Sequence, residues 1–296
     1  MLLLGSCFAE NMAEKFAHFN FLHLVNPFGI LFHPPAIEKF LDYAVNGKEF
    51  SQPDIFHHNE RWHCFDAHSE LSSADPDELI INLQNAAIST RAFLAGTTHV
   101  VVTAGTAWVY RNSIGSLVAN CHKVPQREFS KELLEVEAID ESFQNIIRLL
   151  KQSNPEIEII FTVSPVRHIK DGFVENQRSK SHLIAGLHRA LGSGAEKFAS
   201  YFPAYEIMLD ELRDYRFYAD DMLHPSKQAI DYIWEKFTKA WVSAAAHEVM
   251  NDVAQVRKAL AHRPFNPESE SHRKFQEINR QKVESLQMRF PYMRFQ

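Results

Sequence analysis

Two short stretches, far apart in the chain, hold side chains suited to nucleophilic chemistry. The first is Leu2-Leu3-Leu4-Gly5-Ser6-Cys7, where an apolar run breaks at a glycine and presents a hydroxyl and then a thiol. The second is Tyr218-Ala219-Asp220-Asp221-Met222-Leu223-His224-Pro225. An Asp three residues before a His lets the carboxylate hold one imidazole nitrogen and fix the tautomer, leaving the other free to take a proton. If Gly5–Cys7 turns a strand into a helix, the helix N-terminus faces the side chain at the tip. That end lowers a thiol pKa and offers N–H groups to an oxyanion. Each stretch also has a plain structural reading: Cys7 as a small buried hydrophobe, Ser6 as a helix cap, His224 as a surface residue before a helix.

Other polar groups stand beside these in the sequence. Arg167 and His168 follow an apolar run ending at Ser164-Pro165, and a planar guanidinium suits a substrate carboxylate or phosphate. His57, His58, His63, Cys64 and His68, with Cys121-His122, are a dense set of potential metal ligands. They lack a Cys-x-x-Cys or His-Glu-x-x-His frame, so no metal site is expected. Trp62, Trp108 and Tyr110 are placed where a sugar ring could stack.

Positioning such groups requires a scaffold, and the hydropathy pattern supplies one. Leu2–Leu4, His99–Ala104 and Glu156–Val163 read as short buried parallel strands, with a weaker run at Ala199–Met208. Helical spacing appears at Asp77–Leu94, Ile139–Gln152, Lys180–Phe198 and Ser226–Val249. Strands alternating with helices predict an α/β fold with a central parallel sheet covered on both faces. Chemistry in such sheets collects beyond the carboxyl ends of the strands, which points at Gly5-Ser6-Cys7, Gly105-Thr106 and Ser164-Pro165 together. The proline-rich segment 20–76 reads as an irregular insertion at that edge. Residues 1–260 read as one domain, and the basic stretch 261–296 as an appended helical tail.

Bulk properties narrow the function. The chain has 296 residues, 45% hydrophobic and 23% charged, with a net charge of −6. That balance disfavours nucleic acid as a partner. Three cysteines form no disulfide framework. Leu4-Gly5-Ser6-Cys7 has the outline of a lipid-modified cysteine, but no Lys or Arg precedes it and only three leucines follow Met1, so a working signal is not expected. No run of 18 apolar residues occurs, so no membrane span is expected. As written the chain reads as cytoplasmic, an expectation that an export signal upstream would reverse.

The whole pattern resembles the SGNH, or GDSL-like, hydrolases and, more narrowly, the GSCFA domain family. The resemblance rests on Gly5-Ser6-Cys7-Phe8-Ala9, Asn26-Pro27-Phe28-Gly29, Gly105-Thr106-Ala107-Trp108, Ser164-Pro165-Val166-Arg167-His168 and Asp221-Met222-Leu223-His224-Pro225, spread over residues 1–240. It implies a three-layer α/β/α sandwich of flavodoxin-like type, with no cofactor. It puts Cys7 in the nucleophile's place, or Ser6 if the turn is shifted by one residue, with His224 as base and Asp221 as its orienting acid. Gly29, Gly105 and Asn26 fall near the oxyanion donors, and Thr106, Arg167, His168 and Trp108 near the substrate. Two departures matter: Ser6 stands where the family pattern has Asp, and Ala107 where it has the oxyanion Asn. Loss of one such donor costs on the order of 10²–10³ in rate in enzymes where it was removed. The expected activity is hydrolysis or transfer of an acyl ester, on a small molecule or an acylated glycan. The alternative is a ligand- or glycan-binding module without catalysis on the same scaffold.

Overall fold

The computed structural model describes residues 1–295, apart from the side chain of Glu196. Its strands are β1 (Leu2–Gly5), β2 (Leu24–Val25), β3 (Phe56–His58), β4 (Arg61–His63), β5 (His99–Ala104), β6 (Trp108–Asn112), β7 (Leu117–Val118), β8 (Phe129–Leu133), β9 (Glu158–Val163) and β10 (Ala199–Tyr201). The α-helices are α1 (Cys7–His18), α2 (Pro34–Asn46), α3 (Pro76–Leu94), α4 (Val136–Ser153), α5 (Phe173–Gly192), the single turn α6 (Ala204–Glu206), α7 (Lys227–Trp241), α8 (Ala244–Leu260) and α9 (Glu270–Arg289).

Five strands form a parallel sheet in the order β10-β9-β5-β1-β2. Leu2, Leu4, Val100, Val102, Ile159 and Phe161 share a core with residues of α2, α3, α4 and α5. By alternation Leu3, Val101 and Ile160 point to the other face, where they are equally buried. A sheet dry on both sides must be covered on both sides, so the architecture is a three-layer α/β/α sandwich with a C-terminal helix appended. The chain leaves β1 toward β2 on one side, then crosses to β5 on the other. Ligand crevices form at such a reversal.

Register fixes what meets at the carboxyl edge. Gly5 lies opposite Thr103, and Ala104 opposite Val163, so Ser6, Gly105 and Ser164 leave neighbouring strands side by side. Gly5 is required there: it has φ +125°, and a Cβ on it would sit 2.0 Å from the carbonyl oxygen of Thr103.

Several elements differ from the sequence expectation. Segment 20–76 contains the 13-residue helix α2 in place of irregular chain, capped by His33 and opened by two prolines at its first positions. The predicted helix at Ser226–Val249 is two helices, broken at Val242-Ser243, where the Ser243 side chain caps α8. Helix α5 begins seven residues before Lys180, and β10 is short because Pro203 turns the chain into α6. The small antiparallel sheet β7-β6-β8 was not anticipated.

The chain divides into two compact units, one of residues 1–13 and 23–233, the other of 14–22 and 234–296. In the second unit, α8 and α9 pack on each other around Val253, Val256, Leu286 and Met293, and Phe16 meets the rings of Trp234 and Phe237 edge-on. No helix among the described residues is long and apolar enough to cross a membrane.

Candidate active site

Ser6 and Cys7 occupy the turn between β1 and α1. Ser6 has no solvent exposure, and its hydroxyl accepts the N–H of Phe8 at 3.3 Å, which makes it the helix cap. Cys7 is the first residue of α1 and is half-buried. Its thiol pKa is raised, against the expectation from the helix start alone. Burial is the largest cause and the carboxylate of Glu10 adds to it; the N–H groups of Cys7 and Phe8 and the charge of Lys180 pull the other way without prevailing. Cys7 therefore rests as a neutral thiol at neutral pH and needs a base to react.

The base candidate lies on the loop before α7. The His224 ring bonds through Nδ1 to Asp221 Oδ2 at 2.6 Å. The other carboxylate oxygen, Oδ1, accepts the backbone N–H groups of Leu223 at 2.8 Å and His224 at 3.0 Å. One carboxylate thus shapes the loop and orients the ring at once. Met222 takes φ 59° within this tight turn. Asp221 has its pKa lowered to about 2, chiefly by the backbone N–H bonds from His224 and Leu223 and then by the imidazole. Both side chains are almost half exposed, at 44% and 45%.

Arg167 braces that loop. Its backbone N–H donates to Leu223 O at 3.1 Å and its Nη1 to Met222 O at 3.4 Å. Its guanidinium lies over the Tyr218 ring at 3.9 Å, with Tyr215 at 5.5 Å. The loop after β9 is thereby tied to the loop carrying Asp221 and His224. The neighbouring His168 is held by its backbone N–H on Asn176 Oδ1 at 2.8 Å. Its pKa is lowered to about 3, by burial first and then by the charges of Lys180 and His224. Its buried Nε2 has no hydrogen-bond partner. Gly105 joins the two halves of the edge. A Cβ there would lie 3.3 Å from Ser6 Cβ, 3.3 Å from His168 Nε2 and 3.2 Å from Phe32 O. An added Cβ would crowd all three, and each would have to give by a few tenths of an ångström.

The groups expected near an oxyanion are largely engaged. Gly29 N–H donates to Asn26 O at 2.7 Å, and Gly105 N–H to Phe32 O at 2.7 Å. Asn26 receives Gly5 N–H on Oδ1 at 2.9 Å and donates through Nδ2 to Glu10 at 3.2 Å, bracing the β1 turn. Ala107 is fully buried and its N–H donates to Ser179 Oγ. The Thr106 hydroxyl bonds Ser179 Oγ at 3.0 Å and accepts Trp108 N–H, while the Trp108 indole donates to Glu175 O at 3.1 Å under the ammonium of Lys131. Thr106 and Trp108 thus staple their loop to α5. The backbone N–H of Cys7 has no backbone acceptor among the described residues.

Lys180 was missed. It has no solvent exposure, and its Nζ donates to Gly105 O and Ser164 O at 2.7 Å each. Burial lowers its pKa to about 7, against which the Cys7 thiolate acts. Its signal was its phase: with Leu183, Leu187 and Ala190 it falls on the apolar stripe of α5, where a charge demands a reason. Two of the candidate metal ligands have both ring nitrogens hydrogen-bonded within the protein. His63 bonds Ser72 Oγ and His58 O, and His122 bonds Cys64 O and Ser69 Oγ. Among the described residues no three His, Cys, Asp or Glu side chains gather to hold an ion.

Comparison with protein families matches residues 1–237 to the GSCFA family. The chain belongs to the GSCFA family. Residues 253–296 match a second description, GSCFA domain protein, C-terminal domain, which takes in the C-terminal half of α8, from Val253, and all of α9. No curated protein matches the chain. The GSCFA string itself, Gly5-Ser6-Cys7-Phe8-Ala9, spans the turn from β1 into α1 that presents the thiol.

Proposed function

We propose that this GSCFA chain is an SGNH-type enzyme that hydrolyses or transfers acyl esters, with Cys7 as nucleophile, His224 as base and Asp221 orienting the base. The observation that carries the reading is the Asp221–His224 bond of 2.6 Å on a loop that Arg167 ties to the carboxyl edge of the sheet. At that edge Ser6 and His168 Nε2 both lie 3.3 Å from one point beside Gly105, and Cys7 is the next residue. Ser6 is sealed and caps the helix, which favours Cys7 over Ser6.

Chemically, His224 takes the thiol proton as sulfur attacks the acyl carbon. A C–S bond forms and the carbonyl π pair moves onto oxygen. That oxyanion would draw on the backbone N–H groups at the start of α1, which in the resting site bond the Cys7 sulfur. Collapse restores the carbonyl and expels the alcohol, which leaves with the proton from His224. Water or a second alcohol then attacks the thioester, giving its proton to His224, and the thiolate departs and is reprotonated. A neutral resting thiol makes this a general-base mechanism and not a preformed ion pair. Acylated glycans and small acyl alcohols are the substrate class, with Arg167 and Trp108 near the acceptor.

The full chain should hydrolyse p-nitrophenyl acetate faster than free cysteine does, with turnover lost in Cys7→Ala and in His224→Ala and kept in Ser6→Ala. Turnover surviving Cys7→Ala would end this reading. The engaged N–H groups of Gly29 and Gly105 and the apolar Ala107 favour a second reading, a binding module without catalysis; wild-type protein inert toward activated esters at all pH values would favour it.

A further inference from the structure

A wholly buried lysine without an acidic partner requires explanation. Lys180 reaches from α5 to the ends of β5 and β9, where its ammonium meets only carbonyl oxygens. No carboxylate lies within 4.0 Å of it among the described residues. Taking a lone ammonium out of water costs several kcal/mol, and two carbonyl dipoles recover only part of that. The anion able to complete the balance is at the same edge: the Cys7 thiol, whose ionisation and that of Lys180 act on each other.

Resting on the reading of Cys7 as nucleophile, we propose that Lys180 is the buried counter-cation of the Cys7 thiolate and governs how readily that thiolate forms. Both members are disfavoured as single ions by burial, so each is favoured by the other's charge. When the S–H bond breaks, the proton goes to His224 as in the proposed reaction, and the thiolate left behind is faced by the charge of the Lys180 ammonium. The surroundings bear on the balance from several elements. Glu10 on α1 opposes thiolate formation. His168, after β9, is kept neutral by burial and by Lys180 itself. Tyr205 on α6 offers its ring face to the ammonium at 5.5 Å and stays protonated, its pKa raised to about 12. Among the described residues, Lys180 is the cation that acts on the thiol, and it is shielded from solvent and salt. It acts through Cys7 and touches no substrate.

The test reads the thiol and not turnover. Alkylation of Cys7 by iodoacetamide, followed by peptide mass spectrometry to separate it from Cys64 and Cys121, is measured between about pH 6 and 11 on the full chain. Lys180→Met removes the charge and the donors; Lys180→Gln keeps a two-donor amide and removes only the charge. The proposal expects both variants to alkylate about tenfold more slowly than wild type at about pH 6 to 7, where Lys180 carries its charge, equivalent to about one pKa unit on the thiol, and to reach the wild-type rate at the alkaline limit. Thermal melting confirms that each variant is folded. Superimposable profiles would overturn the proposal, as would Lys180→Gln tracking wild type while Lys180→Met does not, which would leave Lys180 a tether only. A Cys7 that is sluggish in wild type yet essential for ester turnover would sink this inference while sparing the proposed function. Ester turnover that survives Cys7→Ala would sink both.

Discussion

Asp221 bonds His224 Nδ1 through one oxygen and the backbone N–H of His224 through the other, so a single carboxylate fixes both the ring and the chain that carries it. Replacement by Asn keeps most of the backbone turn but presents an amide where the imidazole needs an acceptor. Asp221→Asn is expected to lower kcat by about 10²–10⁴ with a small change in KM, as read from steady-state hydrolysis of p-nitrophenyl acetate. Because Asp221 stays ionised down to about pH 2, its contribution is present above that value and lost only as pH falls through it. The acid limb of the pH–rate profile therefore belongs to other groups.

Arg167 holds the same loop from the opposite side. Lysine at this position keeps a charge but cannot spread a planar fork over the ring of Tyr218. Arg167→Lys should lower kcat about tenfold, equivalent to the loss of about 1.4 kcal/mol of orientation. Melting temperature should move little, since the guanidinium is partly exposed.

Lys180 gives the stability curve a signed pH dependence. Its folded pKa of about 7 lies below its ordinary 10.5. Between those values the unfolded chain holds a proton that the folded chain lacks, so stability rises with pH. The cost of burying the charge is complete below about pH 7 and relieved by about pH 10.5. Lys180→Met should therefore be more stable than wild type at acid and neutral pH, by about 1–4 kcal/mol. The advantage should shrink across that alkaline window when melting is followed by circular dichroism. A constant difference at all pH values would contradict the assignment.

Gly5 is set by sterics alone. A Cβ there would collide with the backbone of Thr103 at 2.0 Å, and moving β1 away would open the sheet beside Cys7. Gly5→Ala should cost at least about 3 kcal/mol and lower the yield of folded protein in denaturant titration.

The parallel core was legible in the sequence because buried strands such as His99–Ala104 and Glu158–Val163 are short, β-branched and bounded by turn residues. The Asp221–His224 pairing was legible because three-residue spacing in a turn is a local geometry. What escaped was non-local. Helix α2 was hidden by Pro34 and Pro35, which look like breakers although they start the helix. Lys180 lies at the start of the helical spacing legible in the sequence, but the helix begins at Phe173, which puts the lysine inside it on the buried face. The direction of the Cys7 shift depends on burial and on Glu10, which no spacing rule reveals. Asn26, expected near the oxyanion, serves instead to join Gly5 to Glu10.

The proposed reaction passes through a thioester at Cys7. Mixing the full chain with p-nitrophenyl acetate, quenching in acid and mapping peptides by mass spectrometry reads that bond directly. One acetyl group on Cys7, removed by neutral hydroxylamine and absent from His224→Ala, is the predicted result. An acetyl group on Ser6, or an unmodified Cys7 during active turnover, would contradict it.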